Sequence, residues 1–171
     1  MLNPYDHDDA DALIASVQPI VARLRDLLEL ARERHVAVVY VNDQHDDFTA
    51  TRDDIVDRAL AGRRPDLVEP LVPSPGCAFL QKVRHSIFYG TSLDYMLRRR
   101  EIDRLVLTGQ VTEQCVLYSA LDAYIRHYDV SVVRDAVAHI DAELGAAALE
   151  MMRRNMRAEI VDAAVSFRDN L

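Results

Sequence analysis

Apolar positions recur along this chain with two different periods, and the period changes several times between the first residue and the last. Val17, Ile20, Val21, Leu24, Leu27, Leu28 and Ala31 fall on one helical face and predict a helix of about 18 residues, with Pro19 in its first turn. Residues 36–41, VAVVYV, form a continuous β-branched run, the pattern of a strand buried on both faces. Residues 42–75 are polar and hold a short helix near 53–61, and CAFLQK at 77–82 predicts a second strand. Leu93, Met96 and Leu97 lie on a helix that ends in Arg98, Arg99 and Arg100, a solvated basic end that suits the negative pole of the helix dipole. A strand at 105–107 then leads, through Gly109, into a helix whose face is Leu117, Ala120, Leu121, Tyr124, Ile125 and Tyr128. Residues 131–133 predict another strand. Asp141 caps a helix with Leu144, Ala147, Ala148, Met151 and Met152 inside, and residues 159–161 close the series as a strand. Such alternation implies an α/β fold, a three-layer αβα sandwich around a mostly parallel central sheet. One feature departs from that plan: the first element is a helix with no strand before it.

Composition narrows the class. The chain has 171 residues, half of them hydrophobic, and only five glycines, which predicts one globular domain with a substantial core. A formal net charge of −8 argues against binding to nucleic acid or to an anionic membrane surface. No apolar run approaches the roughly 20 residues of a membrane span. The acidic opening, DHDDAD, has no signal-peptide pattern, so the expectation is a cytoplasmic protein. Two cysteines, Cys77 and Cys115, make neither a disulfide framework nor a compact cysteine-based zinc site.

Parallel sheets bind ligands beyond the carboxyl ends of their strands, which directs attention to Asn42, Asp43, Lys82 and Cys115. With Thr112 as N-cap, Cys115 falls near the third helical position, where unpaired N–H groups and the helix dipole stabilise a thiolate. The alternative is a buried cysteine acting as a small hydrophobe, and Glu113 would oppose ionisation if it pointed inward. Lys82 by itself reads as a solvated strand-end lysine. His139, with Asp135 and Asp141, offers a Cys–His–Asp arrangement with Cys115, against the plainer reading of a polar loop. Cys77 reads as filler.

Two segments carry a family resemblance. Lys82-Val-Arg-His-Ser86-Ile-Phe88-Tyr-Gly-Thr91-Ser-Leu93 is similar to a K-x-x-x-S-A-F-x-x-T-x-L pattern, with Ile87 in place of alanine. Thr108-Gly109-Gln-Val111-Thr112-Glu-Gln-Cys115-Val is similar to G-x-x-T-x-x-C-V. On both, the chain resembles the isochorismatase-like cysteine hydrolases, which include nicotinamidases and N-carbamoylsarcosine amidases, along nearly its whole length. The resemblance implies a Rossmann-like α/β fold and a Cys–Lys–Asp triad. Cys115 would be the nucleophile, Lys82 its electrostatic support, and Val111 and Cys115 N–H groups the oxyanion hole, beside a cis peptide at Gln110–Val111. Tyr5, Asn42, Phe88 and Gln114 would surround the substrate. Asp43-Gln44-His45 superficially matches a metal-binding D-x-H, but further ligands are missing, so no metal and no cofactor are expected.

The family opens with a strand followed by D-x-Q-N-D-F. Here Met1-Leu2-Asn3-Pro4-Tyr5 looks like its x-Q-N-D-F part, with Leu2 for Gln and Pro4 for Asp. The catalytic Asp would fall one residue before Met1, so the expectation is an N-terminally truncated single domain whose sheet lacks its middle strand. The implied function is hydrolysis of a C–N bond in a small amide or ureide through a Cys thioester. The alternatives are hydrolysis of an isochorismate-type vinyl ether and a noncatalytic binding or scaffold relative. The expected partners are a small-molecule substrate and copies of the chain itself, as a dimer or tetramer.

Overall fold

A computed structural model describes residues 1–45 and 47–164. The helices are α1 (Ala10–Val17), α2 (Val21–Glu33), α3 (Arg52–Leu60), α4 (Pro65–Val68), α5 (Leu93–Arg99), α6 (Leu117–Ile125) and α7 (Ala142–Asn155). The strands are β1 (Val39–Asp43), β2 (Ala78–Lys82), β3 (Arg104–Gln110), β4 (Asp129–Ala138) and β5 (Glu159–Val161). Among the described residues every strand pairing is parallel, as the alternating pattern requires.

The departures from the sequence reading have local causes. The single first helix is instead α1, a 3-10 turn at Gln18–Ile20 holding Pro19, and α2, because proline brings no N–H to the ladder. The 36–41 run enters its strand only at Val39. His35 closes α2 in the left-handed region (φ 57°), and the Val36 N–H donates back to Ala31 at 2.8 Å. Thr112 is not an N-cap; its hydroxyl donates to the Ala138 carbonyl at 2.9 Å, and a π-helical turn, Thr112–Val116, precedes α6. The helix faces are rotated from those predicted. On α6, Ser119, Ala120 and Ala123 are buried while Leu121, Tyr124 and Ile125 are exposed. On α7, Gly145, Ala148 and Met152 face inward while Leu144 and Met151 lie outside. Small residues let these helices approach the sheet more closely than leucine would. A Cβ at Gly145 would stand 2.8 Å from that of His139.

The sheet itself is in two pieces. β1 pairs with β2, and β3 pairs with β4, which pairs with β5. Between β1 and β3 runs a cavity of about 300 Å³, lined by residues 36–42 on one side and 104–110 on the other. Leu24, Leu27 and Leu28 from α2 line it as well, together with Leu93 and Leu97 from α5. The cavity therefore has the two edges and both apolar faces of a strand site. Any ladder group left unpaired along a strand edge carries a cost that the rest of the fold must offset.

The N-terminal residues cross the carboxyl-end mouth of this slot and then enter the core. Asn42 fastens them: its Oδ1 accepts from Leu2 N–H at 3.3 Å, and its Nδ2 donates to the Leu2 carbonyl at 3.2 Å. Pro4 accepts from Arg63 N–H at 2.9 Å, and Tyr5 is fully buried with φ 57°. This path needs a glycine opposite it, since a Cβ on Gly62 would lie 2.3 Å from the Pro4 oxygen. Gly62→Ala is therefore expected to destabilise the fold by about 1–3 kcal/mol through overpacking. A urea midpoint equal to wild type would show that this segment is held less tightly than the packing indicates.

Candidate active site

Strand register builds the site. Asp43 on β1 pairs directly with Lys82 on β2, so the last residue of each strand meets its counterpart at the carboxyl edge. There the Lys82 ammonium donates to Asp43 Oδ2 at 2.8 Å and to Cys115 Sγ at 3.7 Å. The Lys82 side chain is only 5% exposed, against 27% for Asp43. An ammonium that deep requires an anionic partner. Burial pushes the Asp43 carboxyl up, but the Lys82 and His45 N–H donors and nearby positive charge outweigh it and hold it below the usual carboxylate range. It is ionised at neutral pH.

Cys115 arrives from the other half of the molecule, in the turn between β3 and α6. The Gln110–Val111 peptide leading into that turn is cis, and Gly109 has φ 112°. Ser119, one turn on, binds the two motif segments together: its hydroxyl donates to the Cys115 carbonyl and accepts from Ile87 N–H at 3.1 Å. Glu113 turns away from the thiol and accepts from the N–H groups of Ile140 and Asp141 at 2.8 and 3.0 Å. Its carboxylate closes the loop before α7.

The remaining predicted residues separate into those at the site and those apart from it. Asn42 lines the slot and ties down Leu2. Tyr5 does not line it; the ring sits in the core under α1 and α2, and burial pushes its hydroxyl up to about 12. Phe88 belongs to the opposite core cluster, stacked on Tyr128 at 5.8 Å. Gln114 also stands outside the slot lining, its N–H bonded to the Val111 carbonyl at 3.2 Å. The histidine alternative is not assembled. The His139 Cβ and ring pack against Gly145, Asp135 pairs with Arg23 at 3.2 Å, and Asp141 caps α7. Among the described residues no group of three or more His, Cys, Asp and Glu side chains could hold a metal ion. Cys77 is partly buried, 3.5 Å from the Ser74 hydroxyl.

The sequence singled out Asp43 without its role, and it missed Ser119 altogether. Asp43 is the carboxylate partner of Lys82, a role signalled only by its place just after the predicted strand at 36–41 and that of Lys82 at the end of the one at 77–82. Ser119 carried no signal, because a serine on a helix face is usually solvent-exposed. The α-amino group of Met1 also sits here, 3.5 Å from Asn42 Oδ1. Burial lowers it to about 6; the Cys115 charge acts to raise it and Lys82 to lower it.

Comparison with known proteins gives a consistent pattern. The family description "Isochorismatase domain" matches residues 8–165. An uncharacterized isochorismatase family protein, YaaI of Bacillus subtilis, is 31% identical over 160 residues, covering 94% of this chain and 88% of that protein. Ureidoacrylate amidohydrolase RutB of Methylorubrum extorquens is 49% identical over 70 residues, 41% of this chain but only 28% of that protein. Among solved structures, N-carbamoylsarcosine amidase from Thermoplasma acidophilum superposes with a TM-score of 0.66 at 32% identity, covering 86% of this chain and 84% of that one.

Proposed function

Because the chain belongs to the isochorismatase family, whose relatives include amidohydrolases, we propose that it hydrolyses a C–N bond of a small amide or ureide. The observation that carries this reading is the Lys82 ammonium 3.7 Å from the Cys115 thiol, at the carboxyl edge of a parallel sheet. A cation at that distance favours the thiolate, the form that attacks. In the proposed reaction the sulfur adds to the substrate carbonyl carbon, and Val111 and Cys115 N–H groups receive the developing oxyanion. Collapse breaks the C–N bond, the thiol's proton leaves with the amine, and a thioester remains on Cys115. Water then cleaves the thioester and returns the proton to sulfur. Gln110 holds the backbone turn before Val111, Asn42 is read as a wall of the substrate space, and Tyr5, Phe88 and Gln114 as supports packed behind it. No metal or cofactor takes part in this scheme.

A proton carrier between sulfur and nitrogen is the one part that the described residues do not supply outright. We read the slot between β1 and β3 as the seat of an extended segment that runs into Met1 and brings a carboxylate to Lys82. The slot's two strand edges and the position of Met1 at its carboxyl-end mouth support that reading. We place the enzyme in the cytoplasm on its acidic opening without a signal-peptide pattern; among the described residues no helix is long and apolar enough to cross a membrane. Tyr118, Leu121 and Ile125, exposed on one stripe of α6, support self-association as a dimer or tetramer.

Lys82→Ala tests the site. At neutral pH it is expected to slow alkylation of Cys115 by iodoacetamide about tenfold, with the pH profile moved to the alkaline side. An unchanged rate would remove Lys82 from the mechanism.

A further inference from the structure

We propose that Asp43 governs the reactivity of Cys115 by claiming the Lys82 ammonium as its own counter-ion. This rests on the reading of Cys115 as nucleophile and assigns Asp43 a positioning role, exerted through Lys82. The geometry is unequal: the ammonium lies 2.8 Å from Asp43 Oδ2 and 3.7 Å from the sulfur. Strand pairing fixes the first contact, since Asp43 and Lys82 are register partners. The second carboxylate oxygen is occupied as well, accepting the His45 N–H at 2.9 Å, so Asp43 is held in place from two sides.

Charge accounting gives the direction of the effect. The groups around the thiol and its lysine are Lys82 from β2, Asp43 and His45 from the end of β1, and the Met1 amine from the N-terminal segment, while Arg58 beyond His45 is paired with Asp47. Glu113, on the thiol's own turn, is engaged by Ile140 and Asp141. Burial lowers His45 from its ordinary value and brings the Met1 amine to about 6, so both are mainly neutral above pH 7. The charges that remain are one cation and one carboxylate, which cancel. Ionising Cys115 then adds a net negative charge to a largely buried site. With Asp43 made neutral, the acid left in contact with Lys82 among the described residues is Cys115, and the pair becomes ammonium and thiolate. Removing a carboxylate should therefore make the thiol more reactive. A residue that merely supported the fold would have the opposite effect.

The test is the pH profile of Cys115 alkylation by iodoacetamide, read by peptide mapping in the full chain from about pH 6.5 to 9.5. In each case the sulfur displaces iodide, a C–S bond replaces C–I, and the thiol proton passes to solvent. Asp43→Asn keeps the oxygen that accepts from His45 and is expected to move the midpoint about one pH unit toward acid, with alkylation near pH 7 about tenfold faster. Asp43→Glu restores the charge and should return the profile close to wild type. Adding Lys82→Ala to Asp43→Asn should abolish the gain. An unchanged or alkaline-shifted Asp43→Asn profile would overturn the proposal. Asp43→Ser carries the same prediction if the asparagine variant does not fold, and failure of both to fold would also overturn it by showing the carboxylate to be structural. If Cys115 alkylates quickly but Asp43→Asn has no effect, this inference fails alone. If Cys115 does not react at all, the hydrolase reading fails first.

Discussion

A chain extended upstream of Met1 by about seven apolar, β-branched residues ending in aspartate is expected to be more stable and far more active than the 171-residue chain. The stability gain has two sources. A strand in the slot between β1 and β3 would join the two half-sheets and supply ladder partners to both edges. Its side chains would also fill apolar space lined by α2 on one face and α5 on the other. Burying even two such side chains contributes about 3 kcal/mol or more. Met1 would then carry a neutral amide in place of the buried amine at Asn42, which removes a desolvated charge. The activity gain comes from the terminal carboxylate, which would arrive beside Lys82 and Cys115 and carry the proton from sulfur to the leaving nitrogen. General acid–base assistance of that kind is worth about 10²–10⁴ in rate. Urea midpoints and ammonia release from a panel of small amides and ureides measure the two effects separately. An extension ending in asparagine should keep the stability and lose the turnover. An aspartate extension that gains neither would show that the slot is not a strand site.

Replacing the nucleophile has the second large effect. Cys115→Ser preserves the shape of the turn but exchanges a thiol for a hydroxyl that Lys82 cannot ionise at neutral pH. Turnover of any amide accepted by the extended chain should fall at least about a thousandfold. Stability should change little, because Cys115 is only partly buried and its carbonyl remains bonded to Ser119. A serine variant that retains a tenth of the activity would move the chemistry away from this residue.

How much of this was legible beforehand depends on the period of the interactions involved. The parallel α/β plan was readable because strand signals, the β-branched run at 36–41 and the weaker CAFLQK at 77–82, alternate with helical stripes, and the strands lie at 39–43 and 78–82. The faces of α6 and α7 were misread. Leu121, Ile125, Leu144 and Met151 are apolar by type but exposed, while Gly145 and Ser119 occupy the buried positions where the helices come nearest their neighbours. Periodicity ranks residues by hydrophobicity and cannot see how closely two backbones approach. Thr112 was misplaced for a similar reason: a π-helical turn shifts the start of the helix, and its hydroxyl finds the Ala138 carbonyl on β4 instead. At the site, Lys82 and Cys115 were legible from their motif segments, but their contact joins residues 33 positions apart. The Asp43–Lys82 pair was hidden because it depends on register, and register is fixed by packing of the whole strand pair.

The central claim, that Cys115 is a nucleophile prepared by Lys82, can be tested against an internal standard. Cys77 is partly buried, beside the Ser74 hydroxyl. Limiting iodoacetamide at neutral pH, followed by peptide mapping, measures both cysteines in one tube. The account predicts that Cys115 is labelled several-fold faster than Cys77, which is likewise partly buried, and that Lys82→Ala erases the difference. Preferential labelling of Cys77, or a Cys115 rate indifferent to Lys82, would contradict it.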